Sequence, residues 1–197
     1  MIDPKFTILA GIIAVASAAS YAVDTLKGGN QPNRVTWALW TLVPMITFSA
    51  QISQGVGLQS IFTFGGGFGP FLVLLASFVT RRAYWRLTAF DLLCGLISAA
   101  ALLLWAITGK GLVALVLSVA ADFFAAVPTI KKAYQVPASE SGYPFLFGVV
   151  AAFITLLTIQ EWTLANSAFA VYVLFTDGLI AGLVLFPRAR PAFRSAT

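Results

Sequence analysis

The sequence predicts an all-α membrane protein in which seven transmembrane helices form two parallel three-helix repeats joined by a linker helix. Three observations carry this expectation. Hydrophobic residues make up 59% of the 197 positions and charged residues 10%, more apolar side chain than a soluble domain of this length can bury. The apolar residues fall into seven segments of about bilayer length, near 20 residues each. One stretch also occurs twice. Residues 12–27, IIAVASAASYAVDTLK, align without a gap on residues 116–131, VLSVAADFFAAVPTIK, sharing Val15/Val119, Ala16/Ala120, Ala22/Ala126, Val23/Val127, Thr25/Thr129 and Lys27/Lys131.

The first segment, 6–23, follows Lys5 and ends in small residues, the form of a secretory signal. Its copy in the fifth segment cannot be a signal, so the first is expected to be a retained helix. No charge occurs between Arg34 and Arg81. A single straight helix across that gap would be about 69 Å long, more than twice the hydrocarbon thickness. The chain must turn, and the polar, glycine-bearing run from Gln51 to Gly57 divides segments 35–51 and 59–80. The fourth segment, 87–108, has no copy and is the linker. Segments 111–130, 143–159 and 164–186 complete the chain. Beyond the opening stretch, Ile46-Thr47 falls in register with Ile154-Thr155, and Ser60 and Phe62 with Ser167 and Phe169. The expected units are residues 1–80, the linker 81–110, residues 111–187 and a basic tail 188–197. A three-helix unit followed by one extra helix gives both units the same orientation, with the repeat axis along the membrane normal.

Cation placement orients this plan. Lys5 and Lys110 fall on the N-terminal side. Lys27, Arg34, Arg81, Arg82, Arg86, Lys131, Lys132, Arg188, Arg190 and Arg194 fall on the other. The positive-inside rule then puts the N-terminus outside and the C-terminus in the cytoplasm, with a bacterial inner membrane as the expected location. The net charge of +5 is therefore topological, and nucleic acid is not an expected partner. The tryptophans Trp37, Trp40, Trp85, Trp105 and Trp162 lie near segment ends, as interfacial anchors do. The chain contains no His and a single Cys, Cys94. That excludes imidazole-based metal sites, Ser–His and Cys–His catalytic pairs, and an intrachain disulfide. No metal, no cofactor and no catalytic residue are expected.

The second unit reads Ala126-Val127-Pro128-Thr129-Ile130-Lys131-Lys132, then Glu140-Ser141-Gly142-Tyr143-Pro144-Phe145. With the repeat plan, this resembles the SWEET/PQ-loop superfamily of small transporters, in which a proline ends the first helix of a unit, a basic loop follows, and a second proline opens the next helix. The resemblance covers most of the chain as topology. It implies alternating-access transport, with Pro128 and Pro144 as hinges near the cytoplasmic gate. In the first unit Asp24 stands at the position of Pro128, Trp37 at that of Pro144, and the helix-2 proline, Pro44, lies deeper.

Intramembrane acids are costly and usually face a cavity or a partner. Asp24, three residues before Lys27, fits an i,i+3 ion pair. Asp91, early in the fourth segment, suits a helix N-terminus. Asp122 and Asp177 lie near the middle of the fifth and seventh segments, at similar depth, with no basic residue within a turn. A lone carboxylate there holds a proton or a cation. Either could contact a polar or cationic solute group, the alternative being a neutral carboxyl hydrogen-bonded between helices. The third segment carries Gly65-Gly66-Gly67-Phe68-Gly69-Pro70. Glycines allow close packing, and Pro70 kinks the helix toward a cavity-lining shape. Other polar candidates for a central path are Ser17, Ser20, Tyr21, Gln51, Asn166 and Tyr172.

The expected function is transport of a small polar solute, such as a sugar, amino acid or vitamin-like molecule. Asp122 and Asp177 offer proton coupling, with Gln51, Asn166, Tyr21 and Tyr172 on the pathway. Pro128, Pro144, Pro44, Pro70 and Asp24 are the expected hinges and gates. No ATP-binding motif occurs, so movement would be down a gradient or ion-coupled. Partners would be the solute, the bilayer and another copy in a homo-oligomer. The rivals are a receptor or assembly protein on the same fold, and an aspartyl intramembrane protease, whose sequence patterns are missing.

Overall fold

The protein is described by a computed structural model covering residues 2–80, 85–108 and 111–187. Arg81, Arg82, Lys110, the side chain of Trp105, and the tail with Arg188, Arg190 and Arg194 lie outside the described residues. Among the described residues seven α-helices follow one another: α1 Phe6–Lys27, α2 Arg34–Ser53, α3 Gln59–Val79, α4 Ala89–Thr108, α5 Gly111–Gln135, α6 Gly142–Thr158 and α7 Leu164–Leu185, with a 3₁₀ turn, Pro137–Ser139, between α5 and α6. α1, α2, α3 and α7 are each long and apolar enough to cross a membrane. α6 is apolar over 17 residues, and α4 is apolar over Ala89–Ala100.

Local chemistry sets the ends. Gly28 closes α1 in the left-handed region at φ 78°. Its N–H donates to Thr25 O, and the N–H of Gly29 donates to Asp24 O, which satisfies carbonyls left over at the helix end. Asn33 caps α2 by accepting from the N–H groups of Val35 and Thr36. Thr88 and Asp91 form a reciprocal cap at α4: Thr88 N–H donates to Asp91 Oδ2 at 2.6 Å, and Asp91 N–H donates to Thr88 Oγ1 at 3.3 Å. Asp91 thus has the structural role that suits an acid at a helix N-terminus. Thr163 caps α7 by accepting from Asn166 N–H.

One boundary differs from expectation. α5 does not stop near Pro128 but runs on to Gln135. A proline removes one N–H from the helical ladder, and the chain re-enters it within a turn when packing holds both sides. Pro128 is buried, as are Ala125, Ala126 and Thr129 around it. Lys131 and Lys132 therefore project from a helix rather than a loop.

α3 packs against both α1 and α2, and α7 against both α5 and α6. Across the molecule α1 meets α6 and α2 meets α5, while α4 lies on α5. The glycine run of α3 makes the first of these packings possible. A Cβ at Gly69 would lie 2.6 Å from Ala18 Cβ, and one at Gly67 would lie 2.8 Å from Met45 Cγ. Two packed layers occupy the interior. One joins Tyr21, Trp37, Trp40 and Phe145 with Ala125, Ala133 and Ile180. The other joins Ala10, Phe62, Ala151, Ala152, Phe169 and Ala170. The outer surface is apolar, with Ile12, Phe78, Leu96, Phe153 and Phe175 all well exposed. A soluble monomer rarely shows so much apolar surface in continuous patches, and a helix in hydrocarbon requires it.

Candidate functional site

Residues at i, i+3, i+4, i+7 and i+8 share one face of a helix. That spacing places Phe169, Tyr172, Val173, Thr176 and Asp177 on one side of α7, and Trp37, Trp40 and Pro44 on one side of α2. Both faces line a cavity of about 100 Å³, to which α1 adds Ser17 and Ala18, α3 adds Gly65, Gly66 and Pro70, α5 adds Asp122, and α6 adds Pro144 and Gly148. This volume holds several waters or a small polar group. Phe62 and Phe169 belong both to its wall and to one packed layer; Trp37, Trp40 and Phe145 belong to its wall and to the other. The cavity therefore lies between the two layers, at middle height in α1, α3, α5 and α7.

Asp122 and Asp177 meet there. Asp122 is 3% exposed, and its Oδ1 has no hydrogen-bond partner. The hydroxyl of Tyr172 is likewise buried, and it stands beside the Asp122 carboxyl and the Thr176 hydroxyl. Asp177 packs its carboxylate directly on the backbone of α6 at Gly148, where any Cβ would occupy the place of Oδ2. Two prolines shape the same wall. Pro44 and Pro70 withhold the N–H groups that would otherwise bond the carbonyls of Trp40 and Gly66, four residues earlier. Both of those residues line the cavity.

The remaining predicted residues lie elsewhere. Tyr21 sits one turn beyond Ser17 and Ala18, fully buried beneath the cavity; its ring centroid is 4.6 Å from that of Trp37 and 6.1 Å from that of Phe145. Gln51 donates to Ala165 O at 3.0 Å and ties the end of α2 to the start of α7. Asn166 donates to Glu161 O at 2.8 Å in the loop before α7. Neither touches the cavity. Ser20 is exposed. Asp24 accepts from Ser141 Oγ at 3.2 Å, across the two halves, in place of the pairing with Lys27. Pro144 lines the cavity, whereas Pro128 lies outside it.

Trp37 and Trp40 are buried at 4% and 7% exposure and form cavity wall, not interfacial anchors. Trp162, at 63% exposure, suits the anchoring role. Lys132 and Glu140 were legible only as loop charges. Their side chains are fully buried and form an ion pair at 2.6 Å. Tyr21 donates to Glu140 Oε2 at 2.5 Å, and Lys132 also donates to Gln31 O. The backbone adds a bond from Gln31 N–H to Ser139 O at 3.0 Å. The two proline-bearing connections, α1–α2 and α5–α6, are thereby locked to each other below the aromatic layer. At the opposite end Thr7 and Thr158 share a hydroxyl hydrogen bond at 2.9 Å, joining α1 to α6. Among the described residues no group of three or more His, Cys, Asp or Glu is placed to hold a metal ion. No protein-family model matches the chain, and neither does any curated protein or solved structure.

Proposed function

We propose that the chain is an integral membrane transporter that moves a small polar solute by alternating access through this cavity. The observation that carries the reading is the cavity itself: two acids at mid-height, walls drawn from six helices, and a packed layer on either side. A solute site that opens in turn to each face needs such a pair of closures. The helix contacts support the 3+1+3 repeat plan of the SWEET/PQ-loop resemblance. The third helix of each unit lies against the other two, and the pairs α1–α6 and α2–α5 are those a two-fold axis along the membrane normal would relate.

On this reading the Lys132–Glu140–Tyr21 lock closes the cytoplasmic face and must open for solute to pass. Pro44, Pro70 and Pro128 are the points where α2, α3 and α5 can bend. The N-terminus lies outside a bacterial-type inner membrane, because the cations Lys27, Arg34 and Lys131 cluster at the opposite end. Asp122 and Asp177 supply proton coupling.

The test is counterflow in proteoliposomes across sugars, amino acids and vitamins, with and without a pH gradient. Saturable, pH-dependent exchange is expected, with the pH dependence lost in Asp122→Asn or Asp177→Asn. PH dependence surviving in both variants removes the coupling. Absence of exchange for every solute removes the transporter reading.

A further inference from the structure

We infer that the cavity selects a small organic ammonium ion. The inference rests on the transporter reading and names its solute class. Its basis is the balance of groups on the wall. Two carboxylates line the space, and among the described residues no Lys or Arg does. Asp122 Oδ1 is buried, with the Tyr172 hydroxyl beside it. Trp40 and Gly66, whose carbonyls lose their helical donors to Pro44 and Pro70, belong to the same lining. Aromatic rings of Trp37, Trp40, Phe145, Phe169 and Tyr172 form much of the remaining wall.

Carboxylates and ring faces are each complementary to positive charge. The protein's own buried cation, Lys132, is committed to Glu140 below the aromatic layer. An ammonium group entering the cavity meets what Lys132 meets there: a carboxylate, a backbone carbonyl and an indole ring, the last 5.0 Å from Lys132 Nζ at Trp85. The molecule thus already buries one ammonium by the same chemistry. A cation over an aromatic face is attracted by the ring, more strongly in a desolvated site, and a charged hydrogen bond to carboxylate adds to that. A sugar can hydrogen-bond the carboxylate but gains no cation–π attraction, and an anion would face two acids.

The experiment compares charged probes with neutral ones of the same shape. Purified protein in detergent is titrated with choline and with 3,3-dimethyl-1-butanol, and with ethanolamine and ethylene glycol, by thermal shift. The same solutes then compete in proteoliposome exchange. Stabilisation and exchange by choline or ethanolamine are expected, with affinities about tenfold or more above the neutral counterparts. Asp122→Asn is expected to remove that difference while its unliganded melting temperature stays close to wild type. Equal affinity for a charged and a neutral member overturns the inference. So does exchange of a sugar or neutral amino acid with no response to either ammonium ion, an outcome that leaves the transporter reading standing. No exchange of any solute brings down both.

Discussion

The hydroxyl of Tyr21 donates to Glu140 Oε2 at 2.5 Å, joining α1 to the connection between α5 and α6 across 119 positions of sequence. Glu140 is held on its other side by Lys132, and neither charged side chain reaches the surface. A buried pair of this kind is weak as a source of net stability, but it is costly to break from one side, because the surviving charge stays in a low-dielectric interior.

Lys132→Met is therefore expected to destabilise the protein by about 3–5 kcal/mol, by leaving Glu140 uncompensated. Lys132→Met combined with Glu140→Gln is expected to recover much of that loss, because the uncompensated charge is gone. Tyr21→Phe removes one hydrogen bond to a charged acceptor, about 1.5–3 kcal/mol, and keeps the ring packed on Trp37. Thermal unfolding in detergent reads all three. Equal loss in the single Lys132 variant and the double variant would show that the pair does not act as a unit.

Gly148 offers a second, sharper intervention. The Asp177 carboxylate occupies the space where a Cβ would stand. Alanine there displaces the flexible end of one side chain, not backbone, so the fold is expected to survive with a change in unfolding temperature of a few degrees. Solute exchange is expected to fall about tenfold or more, because the carboxylate is pushed out of its place in the cavity wall. Exchange kinetics of Gly148→Ala beside those of Asp177→Asn make the check. An unaltered Gly148→Ala protein would mean that Asp177 has no positional role.

Much of the fold was legible because hydropathy and length are enough to delimit helices in lipid. All seven segments are helices, and the turn between Gln51 and Gly57 falls between α2 and α3. Asp122 and Asp177 stand out in the sequence as acids at similar depth on two helices, and the fold brings both to one cavity. The lock did not follow. Lys132 and Glu140 sit eight positions apart around a loop, as ordinary surface charges do, and only the fold-back through Pro137–Ser139 buries them. Pro128 misled in a related way, since a proline read alone marks a helix end, and packing carries α5 through it. The cavity role of Trp37 and Trp40 had a signal that went unused: with Pro44 they repeat at i, i+3 and i+7, the spacing of a single helical face. Gln51 and Asn166 are marked in the sequence by polarity alone, and polarity does not reveal whether a side chain faces the centre or ties two helix ends.

The most direct measurement is the accessibility of one cavity position from both sides of the membrane. Cys94 is the only cysteine and is buried. Cys94→Ser therefore gives a background in which Thr176→Cys, on the cavity wall, is the only reactive thiol, with Ser53→Cys, exposed at the α2–α3 turn, as a control for one face. A membrane-impermeant maleimide is applied to right-side-out and inside-out vesicles. The account predicts that Thr176→Cys reacts from both faces, that Ser53→Cys reacts from one, and that Tyr21→Phe speeds reaction of Thr176→Cys from the face opposite Ser53. Reaction of Thr176→Cys from one face only, or from neither while Ser53→Cys reacts fully, would contradict alternating access through this cavity.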